Sequence, residues 1–200
     1  MIVRESISNF ERGKDLKSAL NLGKRAQIKK WFDDLGIDES RYEIKDDLSV
    51  IVYGYLDLSN TPITKLPDNL SVRGYLDLSN TLITELPDNL TVGRSLNLSN
   101  TPITKLPNNL TVEGYLNLIN TQITKLPDNL TVRGYLDLKN TPITKLPHNL
   151  TIEAYLDLEN TRITELPDNL TVGGFLDLRN TQITELPDNL IVKLYILKDF

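Results

Sequence analysis

The sequence predicts a repeat solenoid of the α/β type, with a parallel sheet along its concave side, non-helical convex segments and a small N-terminal helical cap. Three observations predict it. A 20-residue unit, YLDLSNTPITKLPDNLSVRG, begins at Tyr55 and recurs from Tyr75, Ser95, Tyr115, Tyr135, Tyr155 and Phe175 without a one-residue slip. Within each unit, leucines alternate with polar residues, as in Leu56-Asp57-Leu58, which is the period of a strand with one buried face. Twenty residues leave no room for a helix beside that strand. One such unit cannot bury its own apolar face, so the copies must stack.

Residues 1–51 read as the cap, made of two short helices and a β-hairpin. Residues 1–14 are polar and are expected to be irregular. Asp15 can N-cap a first helix carrying Leu16, Ala19 and Leu20 on one face, with Gly23 as its stop. A second helix is expected over 24–35, because Ile28, Trp31, Phe32 and Leu35 fall at i, i+3, i+4 and i+7; Gly36 ends it. The segments Tyr42-Glu43-Ile44 and Ser49-Val50-Ile51-Val52, separated by Asp46-Asp47, read as strand, turn, strand. Trp31 and Phe32 are the expected plug over the open end of the first turn. Lys24, Arg25, Lys29 and Lys30 read as the solvated face of the helix.

Residues 52–200 read as the solenoid, with seven full repeats and a partial eighth that starts at Tyr195. Val52, Leu56, Leu58, Ile63, Leu66, Leu70 and Val72 form the interior column, and every full copy matches them with Val, Ile or Leu. In Leu66-Pro67-Asp68-Asn69-Leu70 the proline restricts φ and Asp-Asn favours a turn, so the convex side is extended. Asn69 and its equivalents are expected to serve backbone hydrogen bonding there.

The run Leu56-x-Leu58-x-x-Thr61-x-Ile63, followed by Ile63-Thr64-Lys65-Leu66-Pro67, resembles the leucine-rich repeat, and its length resembles the short bacterial LPX type. The resemblance covers about residues 52–197. One departure stands out. The usual ladder Asn is replaced by Thr61, Thr81, Thr101, Thr121, Thr141, Thr161 and Thr181, with Asn one place earlier. The threonine hydroxyls are therefore expected to bond backbone groups of the neighbouring turn. The opening segment MIVRESISNFERGKD also resembles proteins of gut-type bacteria and their tailed phages.

Residues alternating with the strand leucines form three columns on the expected concave face. The first is aromatic (Tyr55, Tyr75, Tyr115, Tyr135, Tyr155, Phe175), with Ser95 as the exception. The second holds Asp57, Asp77, Asn97, Asn117, Asp137, Asp157 and Asp177; the third holds Ser59, Ser79, Ser99, Ile119, Lys139, Glu159 and Arg179. Arg94, Ser95, Asn97, Asn117 and Ile119 break the pattern together and are expected to form a neutral notch. The candidate partner-binding residues are thus Tyr75, Arg94, Ser95, Asn97, Tyr115, Asn117, Ile119, Tyr135, Asp137 and Tyr155. A protein is the expected partner, and the acidic column favours a basic segment of it.

Other classes find little support. The net charge of −5 lies wholly in the repeats, since residues 1–50 carry ten Lys/Arg and ten Asp/Glu. Nucleic acid, which requires a basic stripe, is not an expected partner. No cysteine is present, and there is no phosphate loop, nucleophile elbow, zinc-protease motif or dinucleotide fingerprint. The single histidine, His148, replaces a turn Asp. No catalytic residue, metal or cofactor is expected, since a flat Asp column gives a Ca²⁺ ion few of the oxygens it needs. The N-terminus lacks the apolar core of a Sec signal peptide and no apolar run would span a membrane, so a cytoplasmic or virion-associated protein is expected. The reading is a non-catalytic protein-interaction module. A structural or packaged phage component and an effector-like protein acting on a host are the alternatives.

At the C-terminus, Val192 and Ile196 suit the inward positions of an eighth turn, but Lys198 stands where a core leucine belongs. Leu194, Leu197 or Phe200 is expected to fold back as a cap and keep the chain monomeric. Homodimerisation through this edge is the alternative.

Overall fold

Every full repeat forms two short strands, and each pairs in parallel with its own equivalent one turn away. The structure is a computed structural model that describes residues 2–148 and 150–199, with the side chains of residues 2–15 left aside. A first sheet runs from the hairpin Tyr42–Ile44 and Val50–Val52 through Leu70–Val72, Thr91–Val92, Thr111–Val112, Thr131–Val132, Thr151–Ile152 and Thr171–Val172 to Ile191–Val192. A second sheet runs from Leu56–Asp57 through Leu76–Asp77 and its successors to Ile196–Leu197. Among the described residues only the hairpin is antiparallel. The register is that of the repeat, with Leu136 against Leu116 and Leu156, and Val132 against Val112 and Ile152.

The result is a β-solenoid of about seven turns behind one N-terminal helix. The second parallel sheet is an addition to what the leucine spacing predicted. It forms because Leu70-x-Val72 has the same two-residue period as Leu56-x-Leu58, and both edges of the turn satisfy their backbone groups on the next turn. One continuous core fills the coil. Leu76, Leu78, Ile83, Leu86, Leu90 and Val92 of one turn are buried, as are their equivalents up to Ile183. Each such side chain contributes roughly 2 kcal/mol of burial.

The N-terminal segment departs from the expected two helices. A single helix spans Ile2–Asp34. No proline occurs before Gly36, and an interior glycine such as Gly23 costs only about 1 kcal/mol relative to alanine, which a long helix tolerates. Position 15 therefore lies inside the helix rather than at its start, and residues 2–14 are helical rather than irregular. Leu16, Leu20 and Leu22 are exposed. The helix ends at Gly36, whose φ is +68°; Gly36 N–H bonds Asp33 O at 3.0 Å and Ile37 N–H bonds Phe32 O at 3.0 Å. That pair of bonds is a Schellman stop.

The last turns of the helix close the first repeat. Phe32 is fully buried and stacks on Tyr42 with ring centroids 4.0 Å apart. Trp31 meets Phe32 edge-on at 4.9 Å and is half-buried beside Ile63, Leu66 and Pro67 of the first turn. Lys29 pairs with Asp33 and Glu39, and Lys30 with Asp34, all at the surface.

The threonine expectation is also corrected. The Thr61-type Oγ1 donates within its own turn, to the carbonyl of the leucine three residues earlier, at 2.5 to 2.8 Å. The side-chain ladder between turns is built by the preceding asparagines: Asn120 Nδ2 donates to Asn100 Oδ1 at 2.7 Å, Asn140 to Asn120 at 2.8 Å and Asn160 to Asn140 at 2.9 Å. All seven of these asparagines have φ between 54° and 59°, a left-handed conformation that Asn tolerates better than other non-glycine residues. Asparagine there reverses the chain and aims the following threonine back at its own strand.

Truncating the plug tests the cap. Phe32→Ala should destabilise the protein by about 3–5 kcal/mol, whereas Leu20→Ala on the same helix should change stability by less than about 0.5 kcal/mol. Chemical denaturation of both variants checks it; similar effects would mean that the solenoid does not depend on the cap.

Candidate functional site

The candidate face is the outer side of the second sheet, where the three columns lie. Its Asp/Asn column has a backbone duty in every turn. Oδ1 of Asp57, Asp77, Asn97, Asn117, Asp137, Asp157 and Asp177 accepts the N–H two residues on, at 2.8 to 3.1 Å. Asp and Asn both offer that oxygen, which explains why the column alternates between these two residues alone. The change from Asp to Asn in turns three and four therefore alters charge and leaves the turn intact.

The predicted notch is not a recess. Ser95 is buried, and its Oγ accepts the N–H of Tyr115 at 3.0 Å. Tyr75 and Tyr115, two turns apart, lean together over it with centroids 5.7 Å apart. The Tyr75 hydroxyl donates to Asp77 Oδ2 at 2.8 Å, and burial followed by hydrogen bonding to Tyr115 and Asp77 raises its pKa. Loss of one ring lets its neighbours close the gap. Arg94 is exposed at the corner between the two sheets, and its N–H bonds Gly74 O at 3.1 Å. Corner backbones approach closely there: a Cβ on Gly134 would stand 2.5 Å from Gly114 O. Ala154, at that position, has the longer bond of 3.4 Å to Gly134 O.

The real discontinuity lies one turn further on. Tyr135 stacks on Tyr155 at 4.5 Å, Tyr155 on Phe175 at 4.4 Å, and Phe175 meets Tyr195 at 3.9 Å. Tyr115 leans the other way, toward Tyr75. Among the described residues, Tyr115 and Tyr135 make no ring contact with each other, and both are exposed, by 37% and 44%. On the same strands, in the adjoining columns, lie half-buried Asn117, Asp137, Ile119 and Lys139. Tyr115, Asn117 and Ile119 of one turn thus neighbour Tyr135 and Asp137 of the next across this break in ring contact. Tyr75, Ser95, Asn97 and Arg94 belong to the closed stretch before it, and Tyr155 is sandwiched in the ring stack after it.

Charge is distributed unevenly along the face. Oxygens of Asp157, Glu159 and Asp177 lie within 4.8 Å of one another. Lys139 and Arg179 supply countercharge, with Lys139 2.5 Å from Glu159 and Arg179 2.5 Å from Asp177 and 3.3 Å from Glu159. Burial alone would raise Asp177, but hydrogen bonds from the Arg179 side chain and backbone outweigh it and hold its pKa low. Asp137 forms no ion pair among the described residues. Burial first, then the charges of Asp157 and Glu159, push it up to about 6 against the N–H bond and the positive charge of Lys139. Asp157 is raised by burial and by the charges of Asp177 and Glu159. The Lys139–Glu159–Arg179 row is the ionic ladder that the sequence showed only as a drifting column.

The remaining single features are structural. His148 is exposed at a turn, and Lys125 and Lys145 lie on the far side of the coil beside the Leu-Pro turns. Among the described residues, no helix is long and apolar enough to cross a membrane. A scan against models of known protein families finds no match, and a search of curated proteins finds none either.

The sign of the Asp137 shift gives a pH test. The folded state binds this proton more tightly than the unfolded chain, so its contribution to stability is full below about pH 4 and is lost as pH rises through about 6. Asp137→Asn keeps the turn acceptor, as Asn117 demonstrates with its 3.0 Å bond to Ile119 N–H. It should stabilise the protein at pH 7 by roughly 1–3 kcal/mol and have little effect near pH 4. Denaturation midpoints of both proteins across that range decide it; a pH-independent difference would reject the assignment.

Proposed function

We propose that this chain is a leucine-rich-repeat module of the short LPX type that binds a protein partner, without catalysis, on the outer face of the second sheet. That face is taken as the concave side. The observation that carries the reading is the break between Tyr115 and Tyr135. Two exposed tyrosines on neighbouring turns stand beside the column that holds Asp137, a half-buried carboxylate whose burial outweighs the nearby Lys139 charge, and Ile119 lies in the next column. Exposed rings with a desolvated anion in the adjoining column suit a basic side chain of a partner, held by its charge and by the ring faces. Further along the face Tyr135, Tyr155, Phe175 and Tyr195 stack in series and Asp177 is paired with Arg179, while Arg41 lies over the exposed Tyr55 ring of the first turn. A cytoplasmic or virion-associated setting, suggested by the bacterial and phage resemblance of the opening segment, belongs to the same reading.

The test is a binding measurement on the partner recovered by copurification from a native source. Replacing Tyr115 and Tyr135 together by Ala should weaken that complex about tenfold or more, as loss of aromatic anchors does. Replacing Lys125 and Lys145 on the far side by Ala should change it by less than about twofold. Equal losses from the two pairs would reject this face as the binding surface.

A further inference from the structure

We propose that the free edge of the strand Tyr42–Ile44 and the helix beside it form a docking groove for an extended, acidic peptide segment of a partner, which joins the first sheet as a further strand. Among the described residues this strand is the terminal member of that sheet, paired only with Val50–Val52. Between it and the helix lies a depression of about 440 Å³. One wall is the strand itself, with Tyr42, Glu43 and Ile44. Their side chains alternate between inside and outside, so a depression that touches all three runs along the backbone edge. The other wall is the helical face Leu22, Arg25, Ala26 and Lys29, at i, i+3, i+4 and i+7. That face is distinct from the Ile28, Trp31, Phe32 and Leu35 stripe, which packs on the core.

The hydrogen bonds of the hairpin show which groups that edge presents. Tyr53 N–H bonds Arg41 O at 2.8 Å, and Lys45 N–H bonds Ser49 O at 2.9 Å. In an antiparallel pair bonded and non-bonded residues alternate. Arg41, Glu43 and Lys45 therefore turn their backbone groups toward Val50–Val52, and Tyr42 and Ile44 turn theirs away. Tyr42 N–H is used on Glu39 O, closing the short 3₁₀ turn before the strand. Tyr42 O, Ile44 N–H and Ile44 O remain, with no partner among the described residues. Acceptor and donor groups at a two-residue spacing are what an added strand pairs with. Tyr42 also holds a buried hydroxyl without a hydrogen-bond partner among the described residues, so this residue keeps bonding capacity in its side chain as well as in its carbonyl.

The chemistry of the walls selects the occupant. Leu22 is 68% exposed and, with Ala26, offers cover to one apolar side chain of the added strand. The other charges of the groove are matched: the Tyr53 hydroxyl donates to Glu43 Oε2 at 2.7 Å, and Lys29 pairs with Asp33 and Glu39. Arg25 has no carboxylate among the described residues; its guanidinium donates to the Lys45 carbonyl at 3.3 Å. That unmatched charge is complementary to an Asp or Glu beside the apolar residue of the incoming segment. A second copy of this chain is a poorer occupant. Pairing Ile44 N–H of each copy with Tyr42 O of the other sets the two Glu43 side chains directly opposite, like charge against like. The groove belongs to the cap, and the argument for it uses nothing of the Tyr115–Tyr135 face.

Panning a displayed library of random short peptides on the purified 200-residue chain tests this. Enriched peptides should share an Asp or Glu beside an apolar residue. Leu22→Lys and Arg25→Glu should each weaken binding of the labelled synthetic peptides about tenfold or more. Both side chains are exposed, so the fold is kept. Leu82→Lys on the flank, and the pair Tyr115→Ala with Tyr135→Ala, should change affinity by less than about twofold, which separates this groove from the lateral face. N-methylation along the peptide should abolish binding at every second residue, the period of a strand. With peptide bound, exchange of the Ile44 amide hydrogen should slow about tenfold or more, while that of Lys45, already bonded to Ser49 O, stays within about twofold. No enrichment, enriched peptides without an acid, indifference to Leu22→Lys and Arg25→Glu, losses without the two-residue period, or an unchanged Ile44 amide would each overturn the proposal. So would a chain that light scattering finds dimeric and that Arg25→Glu makes monomeric, because the occupant would then be a second copy.

Discussion

Stacking in fixed register is the constraint on which everything else in this molecule depends. A 20-residue turn has no interior of its own; its leucines are buried only because the same leucines lie above and below. The hydrogen bonds obey the same rule, since Leu116 N–H reaches Tyr135 O and Leu136 N–H reaches Tyr155 O, each one turn on. A slip of one residue would turn every inward leucine outward. The repeat therefore holds its length while its surface residues drift. The consequence for function is that the drifting columns, and not the repeat-invariant ones, carry whatever is particular to this chain.

Repeat invariance itself has a local physical cause. The asparagines of the Asn60 type recur because the chain needs a left-handed residue there, and the Asp/Asn column recurs because an N–H two residues on needs an acceptor. Neither column is repeated for the sake of a ligand. That changes the meaning of the acidic face. Its carboxylates are placed by turn chemistry, and their charge is then a consequence to be managed. Lys139 and Arg179 manage it around Glu159 and Asp177, while Asn97 and Asn117 avoid it by being neutral. Asp137 lies at the border of these two solutions, and its burial outweighs the Lys139 charge.

The inward pattern was fully legible in the sequence, because burial and a two-residue period leave a direct trace in residue type. Val52, Leu56, Leu58, Leu66, Leu70 and Val72 are where the spacing put them. What the spacing could not convey was direction in fine detail. The threonine and asparagine of each turn are adjacent, and which one bonds across turns depends on a single positive φ. The helix was misjudged for a related reason: Gly23 and Asp15 are weak punctuation, and without a proline the helix runs through both. At the candidate site, Ser95 is the visible break in the aromatic column, yet the gap in ring contact lies elsewhere. Rings lean into a vacancy, so a missing tyrosine displaces the gap to the next junction, between Tyr115 and Tyr135. The signal was present in the column, but its consequence is cooperative and needed the packing to be seen.

The two ends of the stack show how far the internal regularity extends. A solenoid solves its burial problem by repetition everywhere except at its first and last turns, where repetition has no partner. At the N-terminal end the solution is a different kind of structure: a helix that presents Phe32, and a hairpin whose antiparallel strand Tyr42–Ile44 pairs the first sheet. At the C-terminal end the last strands, Ile191–Val192 and Ile196–Leu197, still keep the parallel register of the turns before them. The aromatic column also continues to Tyr195, stacked against Phe175. The eighth turn thus keeps the backbone pairing of an interior turn while its side chains depart from it: Ile191 stands in register with Thr171, Leu197 with Asp177, and Lys198 takes the place of the buried Leu178. Register is carried by the backbone ladder, and it outlasts the side-chain pattern that accompanies it in the seven full repeats.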